Sequence, residues 1–364
     1  IDFAMRMYEK ALEVDSNYPL AYAGLADSYV NKYMAYYDRS TAWLDEAERA
    51  CKRALNLDPN LAEAHRALGR VCMFKKKPEQ AITEFKKAIE LKPDYFEAYR
   101  SLGWLNEEMG NFEESIKYAK KAIEIKPLDK ESHLLLGLTY FDMSNSDEAL
   151  KMFDQALEIA PDYYRAYYSK GNVFQRQGKF PLAIQQYQKA LQFGMEPNLY
   201  LDLGWVYLVE KEYDSAIECF KKLIELGFFD FLAYYYLGLA YQLKGEKWMA
   251  AASYDSAAVL CVRKINEDSN NPYLHTTLGL AYTALRKPEE GLKMAVKALK
   301  IEPENGQILY DVARVYALQE KEKEAIQTLA KAIKKPLAPS FQEAQLDPHF
   351  EKIADTPEFL KMGT

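Results

Sequence analysis

Gly69, Gly103, Gly137 and Gly171 recur at intervals of 34 residues. Gly204 follows after 33, Gly238 after 34 and Gly279 after 41, and Ala313 takes the same slot after another 34. The surroundings return with them, as in "AEAHRALGRVC", "FEAYRSLGWLN", "KESHLLLGLTY" and "YLHTTLGLAY". A fixed period of this length means that one supersecondary unit is copied and stacked, because a single unit cannot bury its own apolar face. The chain of 364 residues is also longer than one compact core usually supports.

The second half of each unit repeats as well. "QAITEFKKAIELKP", "ESIKYAKKAIEIKP" and "EALKMFDQALEIAP" share apolar spacing of helical period. Proline follows at Pro59, Pro93, Pro127, Pro161 and Pro303, where it ends a helix by breaking the hydrogen-bond ladder. Gly110, Gly178 and Gly245 are expected to supply a left-handed turn between the two helices of a unit. Pro78, Pro181 and Pro288 fit the first turn of the second helix, where a missing N–H costs little. Small residues such as Gly137 and Ala149 fit a close helix crossing, while Leu136, Tyr140 and Phe153 fill the space around it.

This pattern resembles the tetratricopeptide repeat family, and the resemblance runs over nearly the whole chain. Leu136, Gly137, Tyr140, Ala149, Phe153, Ala156 and Pro161 match the family's unit. The resemblance implies an all-α fold, a right-handed superhelical solenoid of antiparallel helix pairs. Nine units are expected, the first five at 19–61, 62–95, 96–129, 130–163 and 164–196. The other four run over 197–230, 231–271, 272–305 and 306–338. Residues 1–18 read as a preceding half unit, so the chain looks like a piece of a longer protein. The first unit carries about nine extra residues within "NKYMAYYDRSTAWLD", and the seventh about seven within "AVLCVRKINEDSNNP". Both insertions fit longer helices or a projecting contact element. Residues 339–364 break the repeat and are expected to form capping helices, with occupation of the groove as the alternative. Phrases near both ends also resemble the carboxyl-terminal repeat regions of bacterial signalling proteins of the serine/threonine kinase and adenylate cyclase type.

Composition narrows the function. Net charge is −7, which argues against a broad nucleic-acid or anionic-membrane surface. No uncharged apolar run reaches membrane-spanning length. Cys51, Cys72, Cys219 and Cys261 lie far apart, as expected of buried thiols in a reducing, cytoplasmic setting. No phosphate-binding glycine loop, nucleophile elbow, zinc helix or calcium loop occurs. His65, His133 and His275 take a slot that sister units fill with tyrosine, so they read as packing residues in separate units. The expectation is a protein without catalytic residues, cofactor or metal.

In the family, the first helix of each unit lines the concave surface. Carried onto this chain, that places Arg66, Arg70, Arg100 and Trp104 towards the amino-terminal side of a peptide groove. Phe141, Tyr168, Asn172, Trp205 and Tyr235 continue it. Aromatic and arginine side chains on an exposed face are the residue types that dominate binding energy. Leu138, Leu239 and Leu280 fall in the same slots but read as packing between first helices. The clamp that chaperone-tail binders use is not reproduced, because Tyr168 stands in the lysine slot and Asp202 in an asparagine slot. The chain is therefore expected to be a scaffold that holds a protein or peptide segment in its groove. The alternative is a regulatory or substrate-recruiting region of a larger signalling enzyme.

Overall fold

The computed structural model describes residues 1–34, 40–194, 196–227, 230–335 and 338–363, which contain helices and no strand. The chain divides into two compact units, Ile1–Pro161 and Asp162–Thr364.

In the first unit, α1 (Asp2–Val14) precedes four helix pairs. These are α2 (Pro19–Met34) with α3 (Ala42–Leu57), and α4 (Ala62–Phe74) with α5 (Pro78–Leu91). Then come α6 (Phe96–Glu108) with α7 (Phe112–Ile125), and α8 (Lys130–Asp142) with α9 (Ser146–Ile159). The second unit opens with α10 (Tyr164–Arg176) and α11 (Phe180–Phe193), then α12 (Pro197–Val209) and α13 (Tyr213–Glu225). It continues through α14 (Asp230–Lys244) and α15 (Lys247–Glu267), α16 (Pro272–Ala284) and α17 (Pro288–Ile301), and α18 (Gly306–Leu318) and α19 (Glu322–Ala332). Short helices α20 (Phe341–Leu346) and α21 (Pro357–Leu360) end it, with a 3-10 turn at Pro348–Phe350 between them.

Within each unit the even-numbered helices touch one another as well as their own partners, so they form an inner layer and the odd-numbered helices an outer one. The repeat glycine explains the tight crossing inside a pair. A Cβ on Gly238 would lie 2.7 Å from the ring of Tyr254, and one on Gly204 would lie 2.7 Å from the ring of Phe220. In both cases the ring sits sixteen residues on, in the second helix of the pair. The glycine is the space into which that aromatic packs, and overpacking it would cost roughly 1–3 kcal/mol.

The turn between paired helices needs one left-handed residue. Gly110, Gly178 and Gly245 provide it at φ of 73°, 68° and 92°. Lys76, Ser144, Lys211, Arg286 and Glu320 hold the same conformation in sister pairs, at φ of 57° to 62°. The turn is thus imposed by the helix pair, and glycine only relieves its strain. Each such turn closes with a backbone bond, for example Lys179 N–H donating to the Phe174 carbonyl at 2.8 Å.

The two insertions differ. The seventh is helical, since α15 runs for 21 residues and absorbs the added length as extra turns. In the first, residues 35–39 lie outside the described residues. Residues beyond 338 do more than close the last pair. Phe350 and Phe359 bury fully with Tyr310, Leu329 and Ala332, as a cap would. The segment also crosses the inner layer to α10, where the Ser340 hydroxyl donates to the Arg176 carbonyl at 3.1 Å.

Candidate functional site

The three histidines of the repeat slot share one task. Nε2–H of His65, His133 and His275 donates to the carbonyl of Pro59, Pro127 and Ser269, each six residues back, at 3.0, 2.9 and 2.9 Å. The imidazole pins the loop that enters its helix. No group of histidine, cysteine and carboxylate side chains fit to hold a metal occurs among the described residues. The four cysteines are buried, and burial pushes the Cys219 thiol up to about 12.

The expected arginine entrance of the first unit is largely paired internally. Arg66 and Arg70 both bind Asp27 on α2, and the Arg66 Nε–H donates to the Tyr95 hydroxyl at 2.8 Å. Arg100 grips Asp129 at 2.6 and 2.8 Å, and the same carboxylate caps α8 by accepting from Ser132 N–H at 3.0 Å. These arginines bridge successive first helices, and two aspartates offset two of their three charges. Trp104 is partly buried and packs on the cluster of Ala119, Leu135, Leu136 and Met152, and Phe141 is likewise partly buried. Nearby, burial raises the Glu107 carboxyl to about 8, with the hydrogen-bonded Asp142 adding to the shift.

In the second unit the expected groove residues separate by role. Tyr235 is 1% exposed, so it belongs to the core and not to the groove wall; its hydroxyl lies 2.6 Å from Nε2 of His349. The burial follows from the terminal segment, which lies over the ring. Tyr168 donates its hydroxyl to Oδ2 of Asp202 at 2.6 Å, and Asn172 Oδ1 lies 2.8 Å from the Tyr187 hydroxyl. Trp205 is 9% exposed and forms the floor of a cavity of about 510 Å³. That volume falls in the range of small-ligand and side-chain pockets, about 300–1,000 Å³.

The inner faces of α12, α14, α16 and α18 line this cavity, and Pro339 and Glu343 of the terminal segment close one side. Tyr236 tilts against Trp205 with ring centroids 5.6 Å apart and stacks on Phe220 behind. The Arg314 guanidinium sits 5.0 Å over the Trp205 ring and 4.7 Å over Tyr310. Its Nε–H donates to Oδ2 of Asp347 at 2.8 Å, and Nη1 donates to Oδ1 of Asp311 and to the Tyr236 hydroxyl. Asp347 is wholly buried and also accepts from the Tyr310 hydroxyl and from Nδ1–H and the backbone N–H of His349. Burial opposes its ionisation, but Arg314 and His349 outweigh burial and hold its carboxyl below the usual range.

Two other carboxyls face the same space. Burial pushes Asp202 up to about 6, helped by Glu343 and Glu196 and opposed by the bond from Tyr168. Burial also raises Asp311, against the pull of Arg314. Glu343 accepts from Gln175 Nε2 at 3.1 Å and caps α20 through Ser340. Sequence spacing could not place Asp347 and His349 here, because they lie outside the repeat. Asp202 was visible only as a misfit in an asparagine slot.

Tetratricopeptide repeat descriptions match residues 69–110, 96–127, 130–194, 197–226 and 276–340, together more than half of the chain. Among curated proteins, the chain is 27% identical over 164 residues to the BBSome complex member BBS4 of Mus musculus, covering 45% of this chain and 30% of that protein. It is 25% identical over 193 residues to the Bos taurus counterpart, covering 52% and 36%. The chain thus spans about a third of the length of these relatives. Among solved structures, a human IFIT1 dimer with PPP-AAAA aligns at a TM-score of 0.55 and 19% identity, covering 82% of this chain and 68% of that one. That likeness speaks to the fold.

Proposed function

Because the chain belongs to the tetratricopeptide repeat family, we propose that it is a protein-interaction scaffold whose inner helix layer receives a segment of a protein partner. The observation that carries this reading is the cavity over Trp205. It lies on the inner layer, has an aromatic floor and is lined by side chains from four successive first helices. Aromatic and arginine side chains in a desolvated pocket are the usual anchors of binding energy. The relatives support an assembly role, since both are named as members of a complex. No helix among the described residues is long and apolar enough to cross a membrane.

The test uses a residue on the rim, because Trp205 also supports the core. Tyr273 lines the cavity and is 43% exposed. Peptides selected from a random display library against the wild-type chain should bind Tyr273→Ala about 2 kcal/mol more weakly, roughly thirtyfold. Its urea midpoint should hardly move. Selected peptides that bind the variant as tightly would remove the cavity from the binding surface. Trp205→Ala should instead lower stability by about 3–5 kcal/mol, as for other buried aromatics.

A further inference from the structure

Three polar atoms on residues that line the cavity are left open by the described residues. Asp202 accepts on Oδ2 from Tyr168, and its Oδ1 has no donor among the described residues. Asp311 is 8% exposed; its Oδ1 accepts from Gln307 and Arg314, and its Oδ2 has no donor among the described residues. Arg314 is 4% exposed; it spends Nε and Nη1 on Asp347, Asp311 and Tyr236, while Nη2 has no acceptor among the described residues. These atoms open onto the cavity, so a side chain that enters it and displaces water would meet them directly.

The charges decide what kind of ligand. Asp202, Asp311 and Glu343 face the cavity against one cationic lining residue, Arg314. Arg314 is already matched twice, by Asp311 and by Asp347 behind it. An anion would meet carboxylates on both walls. A cation would meet two open carboxylate oxygens and aromatic rings, and charge-assisted bonds and cation–π contacts both strengthen where water is excluded.

We propose that the cavity is a specificity pocket for a basic side chain, arginine or lysine, carried by the partner segment. The cation pairs with Asp202 Oδ1 and Asp311 Oδ2, its alkyl stem lies against Leu201 and Leu232, and a backbone carbonyl of the segment takes the open Nη2 of Arg314. The proposal rests on the scaffold reading above and adds the chemistry of the residue that enters.

The experiment uses the whole chain and four pools of fluorescent nonapeptides. The pools are random at eight positions and fixed at the centre as arginine, citrulline, norleucine or glutamate. Citrulline keeps the shape of arginine and removes its charge. The arginine pool should be retained at least tenfold better than the citrulline and glutamate pools. Asp202→Asn keeps the acceptor for Tyr168 but turns the open oxygen into a donor, and should abolish that preference. Glu343→Gln changes the opposite wall and should reduce it, which guards against misfolding of the first variant; thermal melts of both check the fold. If citrulline or norleucine is retained as well as arginine, the cationic pocket is wrong and the scaffold reading stands. Arginine preference that survives both variants places the cation elsewhere and overturns the proposal. If no pool is retained, the scaffold reading fails with it.

Discussion

Asp202 takes a slot that holds Ser169 and Tyr236 in the adjacent units, and the cost of its burial can be measured. Burial, with Glu343 and Glu196 nearby, raises its carboxyl to about 6, while Tyr168 pulls the other way. A carboxyl that binds its proton more tightly in the folded chain favours folding at low pH. That contribution is complete below the ordinary value of 3.8 and is lost as pH rises through about 6. Asp202→Asn should therefore stabilise the chain by about 3 kcal/mol at pH 7.5 and by less than about 1 kcal/mol at pH 4. Urea denaturation at the two pH values reads this directly, and an equal effect at both would show that the carboxyl is not held against ionisation. Side-chain roles of this kind were only half legible. Arg66, Arg70 and Arg100 stood out as basic inward positions, yet their partners Asp27 and Asp129 lie 29 to 43 residues away. One signal was available, because Asp27 follows Ala26, which takes the repeat-glycine slot of the first unit, and so stands where Trp104 stands after Gly103.

At the scale of the element, helices announce themselves and the terminal segment does not. The period of 34 residues made the helix pairs legible, since apolar spacing recurs from pair to pair and, among the described residues, eight of the turns hold a left-handed residue. Beyond residue 338 no copy exists to compare. Short helices with Phe350 and Phe359 on one face could be read as a cap, but their reach to α10 and α14 depends on contacts more than 100 residues apart. The most exacting contact in that segment is Asp347 with Arg314. Removing one partner of a buried pair strands the other charge, so Asp347→Ala should cost about 3–5 kcal/mol. Chemical denaturation checks this. Arg314→Met combined with Asp347→Leu should recover much of the loss, because an apolar pair needs no matching charge.

At the scale of the molecule, the repeat architecture was legible throughout, whereas the identity of the inner surface was not. Family-like spacing marks which residues point inward, but it cannot say which are covered by something else. Tyr235 is the clear instance, an inward position sealed by His349. An open array of repeats has only neighbour contacts, so its ends fray and its middle melts in stages. In the second unit the hydrogen bonds of Ser340 and Glu343 to Arg176 and Gln175 join residues 164 and 168 positions apart. That staple turns a linear stack into a closed circuit, in which opening any one pair strains the closure and so couples the pairs to one another. Amide exchange should then report one shared opening free energy for α10 through α18. Glu343→Ala should split it, with α10 and α11 exchanging first; protection that is already graded along the wild-type stack would show that the circuit is not closed. A partner segment entering beside Glu343 would meet a ring and not a trough, and would have to thread it or wait for it to open.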